Sequence, residues 1–203
     1  MKIYLSIIGF FSILLYFVNI LADFTSFSNA LILLMILGGV LFEFAIDGLF
    51  AILIHFIPNS HFDINRKIFT VSQGERKFYE KIKIRKWKDK VWELGGLGGF
   101  SKKNLKTGND KEYLKKFLVE SNKGVVNHVF GLLAGFSLIW IFPSQVAFCI
   151  SLPIAIINLM LNLPSLFILR YNTPKLMACY KRLERTANLK TEETEEAIEK
   201  NKA

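Results

Sequence analysis

The chain has two cysteines and three histidines in 203 residues, and both scarcities exclude chemistry. Cys149 and Cys179 show no paired pattern, which excludes a disulfide scaffold and implies a reducing compartment or inert thiols. His55, His61 and His128 come without an HExxH or a cysteine cluster, so no metal is indicated. No Ser or Cys sits in a recognisable nucleophile setting, so a covalent enzyme intermediate has no support. Charge is also missing where it matters most. Residues 3–22 carry none, and neither residues 23–28 nor residues 143–145 hold a single Lys or Arg.

What is present is 52% hydrophobic residues gathered in blocks. Residues 3–22, 30–57, 124–142 and 146–169 are each long enough to cross roughly 30 Å of hydrocarbon as a helix. These four blocks predict an all-α membrane protein with four transmembrane helices. Residues 1–57 form one transmembrane hairpin and residues 124–169 a second. Between them lies a basic segment, 58–123, and after them a basic stretch with an acidic tail, 170–203. Lys2 ahead of a run ending at Ala22 also fits a cleaved signal peptide. All 26 Lys and Arg fall on one side of the four-span plan: one before the first run, 17 between the second and third, and eight after the fourth. Basic residues stay cytoplasmic, so both termini and the 58–123 segment are expected at the cytoplasmic face of a cell membrane.

The net charge of +9 has three readings. No nucleic-acid motif accompanies it, and the basic residues flank spans, so nucleic acid is not expected as a partner. Anionic lipid headgroups are the plain partner. A phosphorylated or CoA-bearing substrate is the sharper one. Within the segment, residues 74–94 read as a basic amphipathic helix, with Phe78, Tyr79, Ile82, Trp87, Val91 and Leu94 on one face. Such a helix would lie in the headgroup plane with Trp87 and Trp92 at its edge, or else pack on the protein's own loops. Four glycines within residues 95–99, followed by Lys102 and Lys103, form a linker or a phosphate cradle, with no P-loop spacing. Residues 109–121 resume as a helix capped by Asn109 or Asp110. Residues 172–189 read as a short basic helix, and 191–203 as a solvated, frayed tail.

Ionisable groups inside a span cost several kcal/mol unless paired, hydrated or neutralised, so each is a functional candidate. Glu43 and Asp47 are four apart and share a helix face, about 21 Å and 15 Å from the end of the run. They could serve as intramembrane support together with His55, or bond neighbouring helices. Antiparallel packing would bring His55, His128, Arg170 and Asn172 to one level below the headgroups, with Asn162 and Asp47 deeper and able to pair. Glu120 precedes His128 by about 12 Å along a helix and about 80° around it, so the two cannot pair directly. Glu120 would instead anchor Lys86, Arg85 or Arg170, and Asp47 is the better carboxylate for His128, given a bend or a water between them.

An ordered series emerges: Arg85-Lys86-Trp87-Lys88-Asp89, Gly98-Gly99-Phe100 with Lys102 and Lys103, Glu120 eight before His128, Asn162-Leu163-Pro164, and Arg170-Tyr171-Asn172-Thr173-Pro174. From about Pro58 to Leu176 it resembles the glycosyl-4,4'-diaponeurosporenoate acyltransferases of staphyloxanthin-type carotenoid biosynthesis. Ser72, Val125, Leu169 and Thr173 stand where that pattern has glutamate, glutamate, glutamine and arginine. The resemblance implies transfer of a fatty acyl group from a donor such as acyl-CoA to a sugar hydroxyl of a glycosylated isoprenoid lipid, without a cofactor. His128 would be the general base, with Arg170 and Asn172 stabilising the oxyanion or holding the sugar. Trp87, Lys86, Lys88, Lys102, Lys103, Glu120, Asn162 and Tyr171 would bind substrate. Two other classes compete: a non-enzymatic adaptor that gathers anionic lipids or partner enzymes, and a proton-coupled transporter built on Glu43 and Asp47. Nothing in the sequence specifies an oligomeric state.

Overall fold

The computed structural model describes residues 2–91 and 111–200, with side chains for 4–91 and 111–189. Among these the elements are helical throughout. They are α1 (Lys2–Ala22), α2 (Asn29–Phe56), α3 (Gln73–Lys81), α4 (Ile84–Trp87), α5 (Lys111–Ala134), α6 (Leu138–Ile141) and α7 (Leu152–Lys200), joined by short 3₁₀ turns and one π-helical turn, Ala147–Ser151. Four stretches are long and apolar enough to cross a membrane, as the hydrophobic blocks predict. The expected glycine loop, Trp92, Lys102, Lys103 and the Asn109 or Asp110 cap lie outside the described residues.

Apolar side chains cover both the inside and the outside of the bundle. Leu21, Leu34, Leu41, Trp140 and Phe148 are among many large exposed hydrophobics, which suits a surface bathed by lipid rather than water. Inside, Ile32, Met35 and Ile36 of α2 pack on Leu138, Val146, Ile150 and Ile154. Ser28 starts α2 by accepting from the Leu31 backbone N–H at 3.3 Å. α1 adheres through two polar pins. Asn19 donates to the carbonyls of Leu15 and Cys149 at 2.8 and 2.9 Å. The Tyr4 hydroxyl donates to Leu161 O at 3.0 Å, one turn before the Pro164 ring interrupts the α7 ladder.

α7 passes through Pro164 and Pro174 without ending. Its 49 residues make about 74 Å of helix, more than twice the thickness of the hydrocarbon layer. The span and the basic stretch after it, read separately in the sequence, are therefore one rod. Of the frayed tail expected over 191–203, residues 191–200 continue the helix instead, and 201–203 lie outside the described residues.

The connector after α2 is more ordered than its composition suggests. Phe62, Ile64 and Phe69 are buried against Leu114 and Leu118 of α5 and Tyr180 of α7. Asn122 fixes it by donating to Phe62 O at 3.0 Å. The single helix expected over residues 74–94 is broken instead. Lys83 takes a left-handed conformation (φ 52°) between α3 and α4, and Trp87 Nε1 donates to the freed Ile82 carbonyl at 3.0 Å. The break lets Tyr79 and Ile84 both turn onto Ile168 of α7, with Trp87 packed beside them. A left-handed backbone costs roughly 1–2 kcal/mol, less than burying two large apolar side chains returns. Tyr79, Ile84 and, in part, Trp87 therefore pack on the protein itself, while Phe78 of the same face stays exposed.

Candidate active site

Two polar layers lie along α7, about two helical turns apart. The deeper one is built on facing residues of α2, α5 and α7. His128 Nδ1 lies 2.8 Å from Asn162 Oδ1. The Asn162 amide nitrogen donates to Asp47 Oδ2 at 3.3 Å and to Asn158 Oδ1 at 2.7 Å. Asn158 donates in turn to Gly131 O at 3.0 Å. This pattern assigns the proton on the imidazole. Asn162 Nδ2 faces two acceptors, so its oxygen must face His128, and an oxygen can only accept. His128 Nδ1 therefore carries the hydrogen and Nε2 carries the lone pair. Asp47 orients the ring through an intervening amide rather than by touching it. The pairing of Asn162 with Asp47 matches the common depth expected from the sequence.

Glycines make this layer possible. A Cβ at Gly131 would collide with the Asp47 carboxylate, and one at Gly135 would stand 2.6 Å from Asn158 Nδ2 and 3.0 Å from Glu43 Oε2. Gly135→Ala should lower the melting temperature of the detergent-purified protein, with an overpacking cost of about 1–3 kcal/mol. An unchanged melting curve would show that the layer relaxes without cost.

The second layer surrounds Arg170. Its Nε and Nη2 grip the two Glu75 oxygens at 2.8 and 2.7 Å. Nη1 donates to Ile68 O at 2.9 Å and Nη2 to Thr70 O at 3.3 Å. Four of the five guanidinium N–H groups are thereby engaged. Tyr79 donates to the same Glu75 carboxylate at 2.5 Å. Burial pushes the Glu75 carboxyl up, but Arg170, Tyr79 and the Ser72 backbone N–H outweigh it and hold the acid below its ordinary value of 4.5. Burial and the adjacent Glu75 charge push the Tyr79 hydroxyl up, so it stays a donor. Ile68, Phe78, Val125, Val129, Leu166 and Phe167 join these groups around a cavity of about 400 Å³, within the volume usual for ligand pockets, roughly 300–1,000 Å³. His128 is not a wall residue of it, but sits on α5 between two that are, Val125 and Val129.

Several sequence-derived expectations change here. Arg170 does not join the His128 network; it closes onto Glu75. Glu120 takes neither Arg85, Lys86 nor Arg170 but Lys123, at 3.0 Å, because one helical turn brings that ammonium alongside. His55 is exposed while its neighbour Ile54 points inward, which turns the imidazole away from the cluster. Asn172 is half-buried without a hydrogen bond to a described residue, and Lys86 is exposed. Tyr171 accepts from Arg85 Nε at 2.9 Å, and Lys88 Nζ lies 5.8 Å above its ring. Glu75 was missed, although Ser72-Gln73-Gly74-Glu75 is a capping signature: Ser72 Oγ accepts from the Glu75 N–H at 3.1 Å. Among the described residues no three His, Cys, Asp or Glu side chains converge as a metal site would need.

The geometry offers an oriented imidazole on the helix whose Val125 and Val129 wall an apolar cavity with a charged rim. That suits proton abstraction next to a lipid chain. No curated protein and no solved structure matches the chain. A family model does, over residues 65–182, which is 118 of 203 residues and includes His128, Asn162 and Arg170 but neither Glu43 nor Asp47. The chain belongs to that family, the glycosyl-4,4'-diaponeurosporenoate acyltransferases, and is a membrane-type acyltransferase with carotenoid biosynthesis as its setting.

Proposed function

We propose that this chain transfers a fatty acyl group from a thioester donor to a sugar hydroxyl of a glycosylated isoprenoid lipid at the cytoplasmic face of the cell membrane. The observation that carries this reading is the Asp47–Asn162–His128 relay, which leaves Nε2 as the basic nitrogen. His128 Nε2 takes the hydroxyl proton as the oxygen attacks the thioester carbonyl. The C–S bond then breaks, and the departing thiolate receives the proton from the imidazolium. No net proton is produced, and general base catalysis of this kind contributes about 10²–10⁴-fold.

Arg170 serves as a positioning group: with Glu75 it pins residues 68–75 against α7 and forms the polar rim of the 400 Å³ cavity. The apolar walls below that rim receive the acyl chain. Lys88 and Arg85 around Tyr171, with Lys86 nearby, attract the donor's phosphates, and Lys102 and Lys103 extend the same basic character in sequence. Asn172, half-buried two residues after Arg170, holds the sugar.

Lipid extracts of cells that make a glycosylated isoprenoid, compared with and without this protein by mass spectrometry, test the proposal. An acyl ester of the glycolipid should appear only with the protein. Identical extracts would instead favour an adaptor that gathers lipids or enzymes on its basic face.

A further inference from the structure

A second cavity, of about 60 Å³, lies between α1, α2 and α7, with Tyr4, Glu43, Asp47, Asn158 and Asn162 on its walls among apolar side chains. Acyl transfer as proposed places no substrate in it, although Asp47 and Asn162 on its walls also belong to the His128 relay. A water needs about 10–15 Å³ of such space, so the cavity admits a small ion with a few waters but not a sugar ring or a lipid chain.

The buried side-chain atoms on its walls that lack any partner are all carboxylate oxygens. Asn162 Nδ2 is engaged with Asp47 Oδ2 and Asn158 Oδ1. Asn158 Nδ2 donates to Gly131 O, and the Tyr4 hydroxyl to Leu161 O. Against these engaged donors stand three buried carboxylate oxygens without a hydrogen-bond partner: Glu43 Oε1, Glu43 Oε2 and Asp47 Oδ1. Glu43 is only 7% exposed. It faces the turn just after α5, where a Cβ built on Gly135 would stand 3.0 Å from its Oε2. Unpaired carboxylates in hydrocarbon cost several kcal/mol. The stretches that surround them, residues 3–22, 30–57, 124–142 and 146–169, contain no Lys or Arg to supply a counter-charge, and His128, the one basic side chain of the layer, reaches Asp47 only through Asn162.

We infer that Glu43 and Asp47 bind a small monovalent cation of the sodium class, whose coordination is completed by water held in this cavity. The oxygens are hard ligands suited to such an ion. Calcium takes six to eight oxygens, and magnesium gives up its water reluctantly; two acids, with no third His, Cys, Asp or Glu beside them among the described residues, suit a less demanding ion. The ion holds Glu43 to Asp47 on α2 and, through Asn162, ties α2 to α7. It therefore binds the folded protein preferentially and stabilises it by mass action. The site does not depend on the acyl-transfer reading.

The full chain, purified in detergent at pH 8, is melted in NaCl and in N-methyl-D-glucamine chloride at equal ionic strength, with tryptophan fluorescence as the readout. Sodium should raise the melting temperature by several degrees in a saturable way, and Glu43→Gln should abolish the difference between the salts. Equal melting temperatures for the wild type in the two salts would overturn the inference, as would a full sodium shift retained by Glu43→Gln. Should that variant not fold, binding of radioactive sodium to the wild-type protein decides: saturable binding displaced by unlabelled NaCl but not by choline chloride supports the site, and its absence refutes it.

Discussion

His128→Ala should reduce acylated glycolipid by about 10²–10⁴-fold, with the amount of membrane-inserted protein unchanged. The effect is large because the relay has one purpose that packing does not share. Asn162 uses its nitrogen on Asp47 and Asn158, so its oxygen is committed to the imidazole and fixes Nδ1 as the protonated position. His128 is half-buried and contributes no large apolar surface whose loss would unfold the bundle. Product analysis by mass spectrometry beside immunodetection of the protein separates the two effects. Asn162→Leu supplies the complementary observation: the base remains, but the preference for its productive tautomer is lost, so activity should fall less than in His128→Ala. If His128→Ala left the glycolipid profile intact, the base would have to be sought elsewhere and the adaptor reading would gain.

The second large effect concerns stability. Glu75→Ala should destabilise the protein by about 3 kcal/mol, because it leaves the Arg170 charge partly buried without its carboxylate. The side chains of Arg170 and Glu75 are 16% and 23% exposed, so solvent screens the stranded guanidinium only weakly. Arg170→Ala should do similar harm, since it removes the clamp on the Ile68 and Thr70 carbonyls as well. The pair also sets an acid limit. Glu75 is held below its ordinary 4.5 in the folded state. Its contribution is therefore complete above that value and is lost as pH falls through the lower, folded one. Thermal melts between pH 7 and pH 3 should show an acid decline in the wild type that is shallower in Glu75→Gln. Parallel curves would show that other carboxylates set the limit.

The spans were legible because hydrocarbon demands long apolar helices and leaves little else to encode. The depth rule that paired Asp47 with Asn162 worked for the same reason: antiparallel rods of known rise put residues at calculable levels. It failed for Arg170 and His55, where level alone does not say which way a side chain turns. Ile54 occupies the inward direction next to His55, and Glu75 reaches Arg170 from a segment 95 residues away in sequence. The broken helix at Lys83 was not legible either, since a positive φ at lysine carries no local signature; tertiary burial of Tyr79 and Ile84 imposes it. Glu75, by contrast, was readable from its capping signature, although that signature gives a helix start and not an ion pair.

The central claim is that the chain itself joins an acyl chain to a glycolipid. Purified protein in lipid vesicles, supplied with a labelled acyl thioester and a glycosylated isoprenoid, tests it directly. The account predicts a labelled glycolipid ester and an equal amount of free thiol, both lost with His128→Ala. Ester at the level of protein-free vesicles, from wild-type protein shown to be folded, would contradict it.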